Sequence, residues 1–170
     1  KSLKAGDNVL ISGTIIAARD AAHKALTETL ARGEALPVNL AGETIYYLGP
    51  SPAKPGDVIG AAGPTTSGRM DKYTPTMINE VGINGMIGKG YRSEAVIEAM
   101  KKSGCVYMVA IGGAGALISQ SIKKYEVLAY PELGPEAVAR LTVEDFPAIV
   151  AIDSEGNNFY EAGQAPYKKI

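Results

Sequence analysis

Short apolar runs alternate with segments of helical periodicity along most of this chain, and this alternation leaves few folds open to it. Buried strands are predicted at residues 8–13, 105–111 and 146–153, because each run is compact and rich in aliphatic or aromatic side chains. Between the first two runs, residues 20–32 have helical spacing, and Gly33 is placed to end that helix. Strands interleaved with helices predict an α/β domain with a mixed sheet.

The remaining elements are shorter and are predicted from local patterns. Further strands are expected at residues 44–49, 58–62 and 125–130, further helices at 73–81, from Ser93 onward and at 135–141, and a closing hairpin over 153–161.

Composition narrows the class of protein. The chain has 170 residues with a formal net charge of −1, which predicts one domain over residues 1–170 and gives no bulk attraction to nucleic acid or to an anionic membrane. No apolar run approaches the roughly 20 residues of a spanning helix, and the first residues do not resemble a signal peptide. We therefore expect a cytoplasmic protein. Its one cysteine, Cys105, lies in an apolar run and is expected to be a core residue, not a metal ligand.

A polar loop at residues 63–71, with the sequence GPTTSGRMD, concentrates groups that bind anions. It contains Thr65, Thr66 and Ser67 together with two glycines and Arg69. Glycines let the backbone approach a small anion closely, and a guanidinium can hold a carboxylate or phosphate through two hydrogen bonds. The alternative is an ordinary polar turn with a surface arginine.

Two further cations stand where a strand ends or a helix begins. Arg19 precedes the helix predicted from Asp20, a place the helix dipole makes unfavourable for a cation, and Lys89 lies between two glycines before the helix that Ser93 can cap. Each could simply reach solvent. Arg19, Arg69 and Lys89 converging on one site would instead suit a small dicarboxylate.

Other chemistry is disfavoured. His23 is the only histidine, so neither a histidine-based metal site nor a Ser/His arrangement can be completed within this chain, and we assign His23 no catalytic role. The glycine cluster at residues 112–116 lacks the last glycine of a dinucleotide fingerprint, since Ile118 stands there. The chain therefore has the character of half an active site: it can hold an anion but lacks an evident base and metal.

Three motifs together resemble a known family. The loop at residues 63–71, the segment MIGKG at 86–90 and the segment ARDAAH at 18–23 are similar to those of the β subunit of class I fumarate hydratases, which corresponds to the C-terminal domain of the single-chain enzymes. L-tartrate dehydratase β subunits are close relatives of that family. The similarity covers nearly the whole chain.

The resemblance implies a fold, an activity and a partner. The fold would be a swivelling β/β/α domain, and the activity a reversible hydration of fumarate to L-malate. The family uses a 4Fe-4S cluster whose cysteine ligands lie in the other subunit and whose open iron acts as a Lewis acid. The implied partner is an α subunit carrying that cluster, in a heterotetramer of two α and two β subunits.

The resemblance also assigns roles by position. Thr65 would be the base that removes the proton next to a carboxylate, assisted by an aspartate of the partner, since a threonine hydroxyl alone is a very weak base. Arg19, Arg69 and Lys89 would bind the substrate carboxylates and stabilise the developing negative charge. Two alternatives remain open: the β subunit of an L-tartrate dehydratase, and an anion-binding module without chemistry.

Overall fold

The computed structural model describes residues 2–164 of the chain. Its strands are β1 (Asn8–Ala17), β2 (Thr44–Tyr46), β3 (Gly85–Gly88), β4 (Val106–Val109), β5 (Ile122–Ala129) and β6 (Val138–Ile152). Its α-helices are α1 (Asp20–Ala31), α2 (Thr74–Thr76), α3 (Glu94–Ser103), α4 (Gly115–Ile118) and α5 (Phe159–Gln164). Shorter pieces are 3₁₀ turns at Ser67–Met70, Ser119–Ser121 and Pro131–Glu136 and a π-helical turn at Met77–Val81.

Within residues 2–164, six strands form one mixed sheet in the order β1-β2-β3-β4-β6-β5. Strands β1 to β4 are parallel neighbours, whereas β6 is antiparallel to β1, β4 and β5. Because β6 pairs with both β1 and β4, the sheet returns on itself and forms a partial barrel. The predicted mixed α/β architecture is confirmed; the swivelling β/β/α class and the single domain over 1–170 stay predictions. The parallel strands all end at one edge of the sheet.

Both faces of the sheet are buried, which explains the continuous apolar runs in the sequence. Along β2 and its extension, Ile45 and Tyr47 face a core shared with the helices, while Tyr46 and Leu48 face a second core inside the barrel. In both cores the side chains are almost completely shielded from water. This double burial fixes the register of the strands and therefore the position of everything that follows their ends.

The predicted helices at residues 20–32 and after Ser93 are confirmed, with their ends where the sequence places them. Gly33 follows the last turn of α1 with a φ of +72°, a conformation that favours glycine. Ser93 precedes α3 as expected, but its side chain makes no capping hydrogen bond. Instead its backbone N–H donates to Oδ2 of Asp71 at 2.6 Å, which ties α3 to the loop at residues 63–71.

The strand predicted at residues 58–62 is wrong, and this segment is irregular. It folds back onto residues 49–53: the N–H of Ser51 donates to the carbonyl of Ala61 at 3.1 Å, and the N–H of Ala61 donates to Oγ of Ser51 at 2.8 Å. Gly60 lies so close to Ser51 and Pro52 that a side chain there would collide with them. Val58, expected to be buried, is half exposed.

Two further predictions are wrong. Most of the helix expected at residues 135–141 is the start of β6, because residues 138–141 lie between β1 and β5 and pair with both, while residues 135–136 end a 3₁₀ turn. The closing hairpin reduces to one antiparallel bridge between Ile152 and Asn158, after which the chain enters α5. The expected helix at residues 73–81 does form, as α2 followed by the π-helical turn. Across residues 2–164, no helix has the length and apolar character needed to cross a membrane.

Candidate active site

The candidate site lies at the edge where the parallel strands end. Arg19 comes two residues after β1, and Lys89 directly follows β3. In parallel α/β sheets, ligands bind outside the carboxyl ends of the strands, since the loops there are free to vary. The glycine cluster that follows β4 reaches the same edge, because Gly112 lies beside the aliphatic stem of Lys89.

The loop at residues 63–71 lies across this edge as an extension of the sheet. Pro64 forms an antiparallel bridge with Leu48, and Thr66 a parallel bridge with Lys89. The N–H of Thr65 donates to the carbonyl of Tyr47 at 2.7 Å, and the N–H of Ser67 donates to the carbonyl of Lys89 at 2.9 Å. The loop is therefore fixed by backbone hydrogen bonds and does not depend on side-chain contacts alone.

Thr65 and Lys89 offer polar groups that the chain itself does not use. The Thr65 residue is only 8% exposed, and its hydroxyl has no hydrogen-bond partner among residues 2–164. Lys89 is exposed, and no carboxylate in the described part of the chain pairs with its ammonium. A hydroxyl without a partner and an unpaired cation on adjoining backbone segments are suited to a ligand that bridges them.

Arg19 is held against a glycine. Its Nε lies 2.8 Å from Oε1 of Glu136, an ion pair whose N–H is not aligned for a hydrogen bond. The guanidinium rests on Gly49 so closely that a Cβ atom there would lie 2.5 Å from Nε and 2.6 Å from Cζ. Arg19 can therefore adopt this position only because residue 49 has no side chain.

Arg69 is joined to the same helix end as Arg19. Its Nε donates to Oδ1 of Asp20 at 2.9 Å, and the arginine side chain is 56% exposed. Because Asp20 directly follows Arg19, this ion pair brings the 3₁₀ turn carrying Arg69 beside the start of α1. The structure thus brings all four predicted residues, Arg19, Thr65, Arg69 and Lys89, to one edge of the sheet.

Unsatisfied polar atoms cluster at the same place. Among the residues that the structure describes, the buried side-chain atoms without a hydrogen bond are Nε of Arg19, Oδ2 of Asp20 and Nε2 of His23. All three belong to the start of α1, in its first turn or in the residue before it. Buried polar atoms are nearly always hydrogen-bonded, so a concentration of exceptions is typical of a place that receives water or a ligand.

His23 supports this turn from within the core. Its Nδ1 donates to the carbonyl of Arg19 at 3.0 Å, and its ring packs edge-on against Tyr47 with centroids 5.4 Å apart. Complete burial lowers the pKa of His23 to about 4, so the ring is neutral near pH 7. His23 therefore contributes packing and one hydrogen bond, in line with our assigning it no catalytic role.

The sequence analysis missed Arg92, which holds the loop in place. This guanidinium is completely buried and donates to Oδ1 of Asp71 at 2.8 Å, to Oγ1 of Thr74 at 2.8 Å and to the hydroxyl of Tyr47 at 3.2 Å. Burial alone would lower its pKa, but Tyr47, Asp71 and Tyr107 outweigh this effect and raise it. An arginine before a helix carries no sequence signal of such burial, because its partners come from distant segments.

Ser67 is the second anchor of the loop. Its Oγ lies 2.9 Å from the Tyr107 hydroxyl and accepts the N–H of Lys89 at 3.1 Å, while Tyr107 also contacts the carbonyl of Gly90 at 2.8 Å. Gly88 must be a glycine here, since a Cβ atom would overlap Ser67 and Tyr47. These contacts fix the two backbone segments that carry Thr65 and Lys89 relative to each other.

Residues 2–164 contain no group of three or more His, Cys, Asp or Glu side chains arranged to hold a metal ion. Cys105 is buried, and burial raises the pKa of its thiol to about 12, so it is a poor thiolate ligand. The arrangement offers three cations and a hydroxyl at one edge of the sheet, a set of groups suited to a small anion with two charges.

Comparison with known proteins identifies the family of this sequence. The sequence matches the family described as Fumarase C-terminus over residues 1–163. It is 45% identical over 156 residues to the aerobic class I fumarate hydratase of Salmonella typhimurium, which covers 91% of this chain and 27% of that enzyme. It is 44% identical over 156 residues to fumarate hydratase 2 of Leishmania major, with 91% of this chain and 28% of that enzyme covered.

A second kind of relative matches over nearly its own full length. The chain is 40% identical over 176 residues to a putative L(+)-tartrate dehydratase subunit beta of Methanocaldococcus jannaschii, covering 100% of this chain and 90% of that subunit. By contrast, the chain spans about a quarter of the length of the fumarate hydratases it matches. On the match over residues 1–163 and these identities, the chain belongs to the Fumarase C-terminus family.

Proposed function

We propose that this chain supplies the carboxylate-binding cations and the threonine base of a hydro-lyase that interconverts fumarate and L-malate. The observation that carries the proposal is that Arg19, Thr65, Arg69 and Lys89 all lie at one edge of the sheet. Relatives named fumarate hydratase, at up to 45% identity, support the reaction class.

In this proposal the three cations bind a dianion. Fumarate and malate carry a carboxylate at each end, and guanidinium groups grip carboxylates through two parallel N–H bonds. Removing a proton beside a carboxylate shifts negative charge onto the carboxylate oxygens. Arg69, whose Nε is held by Asp20, and Lys89, whose backbone N–H is held by Ser67, stabilise that charge with little reorganisation during the reaction.

Thr65 is proposed as the base that takes the proton next to the carboxylate. Residue Thr65 is only 8% exposed, and within the described residues its hydroxyl has no hydrogen-bond partner, so it is available to a substrate. A hydroxyl becomes an effective base only when a second group accepts or shares its proton. We assign that second group to an aspartate of the partner subunit.

The iron-sulfur cluster of the family does not fit this chain. The chain has one cysteine, which is buried and has a raised pKa, so it cannot supply a set of thiolate ligands. We propose that a 4Fe-4S cluster is held by an α subunit and that the active complex contains two α and two β subunits. The subunit beta name of the Methanocaldococcus jannaschii relative supports a division of this kind.

L-tartrate dehydration is the second candidate. The tartrate dehydratase relative aligns over 90% of its own length, whereas the fumarate hydratases align over about a quarter of theirs. Tartrate is also a dicarboxylate with a hydroxyl next to each carboxylate, so the same cations and base would serve it. The two candidates share a mechanism and differ in substrate.

The test is an anaerobic assay of the complex purified through this chain, with fumarate and L-tartrate followed side by side. Conversion of fumarate to malate, with a brown cysteine-bearing partner in the same fraction, supports the proposal. Turnover of tartrate alone favours the second candidate. No partner and no turnover of either compound would contradict both and leave an anion-binding module.

A further inference from the structure

We propose that Asp20 and Glu136 are positioning residues that hold Arg69 and Arg19 by their Nε atoms and so present the Nη edges of both arginines to the substrate carboxylates. The inference rests on the proposed function, because it concerns the same dicarboxylate. It adds two acidic residues to a site that would otherwise be described by its cations and hydroxyl.

The contact between Asp20 and Arg69 shows the arrangement most clearly. Oδ1 of Asp20 accepts the Nε–H of Arg69 at 2.9 Å, and neither Nη atom of Arg69 hydrogen-bonds to any residue within 2–164. Oδ2 of Asp20 is buried and unpartnered. The carboxylate therefore grips one side of the guanidinium and leaves the outer edge, with its parallel donors, open.

Glu136 takes the same position on Arg19. Oε1 of Glu136 lies 2.8 Å from Nε of Arg19, while the flat face of the guanidinium rests on Gly49. Together, the carboxylate of Glu136 at Nε and the backbone of Gly49 against the guanidinium restrict the orientation of the guanidinium plane. As with Arg69, the Nη atoms hydrogen-bond to no residue that the structure describes.

A positioned arginine binds a carboxylate better than a free one. A long side chain loses rotamer entropy when it is ordered, and a guanidinium already held at Nε loses less of it when the substrate binds. The other common arrangement, in which a carboxylate covers both Nη atoms, would block the substrate. Among residues 2–164, no carboxylate pairs with Lys89, which suits a point charge that needs no fixed plane.

An opposing electrostatic effect means that the direction of the change in KM tests the proposal. A carboxylate beside the arginine also repels a substrate carboxylate, so removing it could strengthen binding. If positioning dominates, loss of Asp20 or Glu136 raises KM; if repulsion dominates, KM falls. Because the arginines grip carboxylates that substrate and product share, lost positioning should act mainly on binding and raise KM. The part of the effect that concerns charge developing on the carboxylate lowers kcat, and we expect it to be the smaller one.

The experiment compares Asp20→Ala, Asp20→Asn, Glu136→Ala and Glu136→Gln in the assembled complex, measuring KM and kcat for fumarate and the inhibition constant of succinate, an unreactive dicarboxylate. The control is Glu34→Ala, which removes an exposed carboxylate that also accepts Nε–H of an arginine, Arg32, at 2.9 Å. Thermal melting of every variant reports whether it folds.

We expect the alanine variants to raise KM and the succinate inhibition constant about tenfold, with kcat changed less than about threefold. Asp20→Asn, which keeps an oxygen acceptor for the Nε–H of Arg69, should recover most of the loss. Glu136→Gln should recover little, because its contact with Arg19 is an ion pair without a hydrogen bond, and Glu34→Ala should change nothing. Unchanged or lowered KM in folded alanine variants, or a loss in kcat alone, would overturn the inference. Failure of the wild-type complex to turn over any dicarboxylate would instead refute the proposed function.

Discussion

At the scale of single residues, Arg69 is the position whose hydrogen-bond geometry most clearly requires an arginine. Its Nε donates to Asp20, and in the proposed function it must still have a pair of donors for a substrate carboxylate. An ammonium has three donors at a single point and cannot satisfy both partners in one plane.

The Arg69→Lys variant should therefore lower kcat/KM for fumarate by about tenfold or more, although it keeps the positive charge. Steady-state kinetics of the assembled complex measure this, with Lys72→Arg, a cation in the following turn, as the control. If Arg69→Lys left both KM and kcat unchanged, Arg69 would not belong to the site.

His23 makes stability depend on pH. Its pKa in the folded protein is about 4, below the ordinary value of 6.5, because burial penalises the charged ring and Arg92 opposes it, while the Arg19 carbonyl and Asp20 only partly compensate. Between pH 6.5 and about 4, His23 is therefore protonated in the unfolded chain but neutral in the folded protein. The free energy of unfolding falls as the pH decreases through this window.

The contribution of His23 to that loss should be about 3 kcal/mol at the acidic end. Urea unfolding at pH 7 and at pH 4.5 measures it in the wild type and in His23→Gln. The variant starts less stable at pH 7 but should lose less stability on acidification. Equal losses in the two proteins would show that His23 is not buried in its neutral form.

At the scale of elements, the loop at residues 63–71 depends on one buried arginine. Arg92 connects Asp71, at the end of the loop, with Thr74 and with Tyr47 on the sheet, and its guanidinium lies 5.0 Å from the centroid of the Tyr107 ring. Removing one partner of a buried ion pair leaves the other without compensation.

We expect Arg92→Met to lower the free energy of unfolding by about 3 kcal/mol, at the low end of the range for buried pairs because Asp71 is partly exposed. Arg140→Met, which breaks an exposed pair with Glu126 at 3.9 Å, should cost less than about 1 kcal/mol. Urea unfolding of both variants and of the wild type measures these losses in the free energy of unfolding. Comparable losses in the two would mean that Arg92 does not anchor the loop.

The elements also show what sequence reasoning can reach. Strand β4 and helix α1 were predictable because their patterns are decided locally, by a continuous apolar run and by helical spacing with Gly33 beyond the end. The segment at residues 58–62 was not, since its course depends on contacts of Gly60 with Ser51 and Pro52. The start of β6 was misread as a helix because its strand partners lie far away in the sequence.

The same reasoning explains which site residues were predictable. Arg19, Thr65, Arg69 and Lys89 lie in motifs with local meaning, namely a cation at a helix start and glycine-rich loops. Arg92 and Glu136 have no such motif. Their roles arise only when the fold brings a buried tyrosine or a second loop against them.

At the scale of the whole molecule, the partial barrel presents its parallel strand ends as an open edge with unused polar atoms. Lys89 and Arg69 are exposed there, and the buried polar atoms without partners, within the described residues, lie in the adjoining turn of α1. An active site that excludes water needs a second surface over this edge. That requirement agrees with the proposed α subunit and with a chain that spans about a quarter of its fumarate hydratase relatives.

The most direct test of this account is the turnover of fumarate by the anaerobic complex carrying Thr65→Ala, measured beside wild type and beside Thr14→Ala, an exposed threonine on β1. Loss of a general base should reduce kcat by about 10²- to 10⁴-fold while the fold and partner binding survive, and Thr14→Ala should match wild type. Near-normal turnover in Thr65→Ala would contradict the proposed role of this hydroxyl.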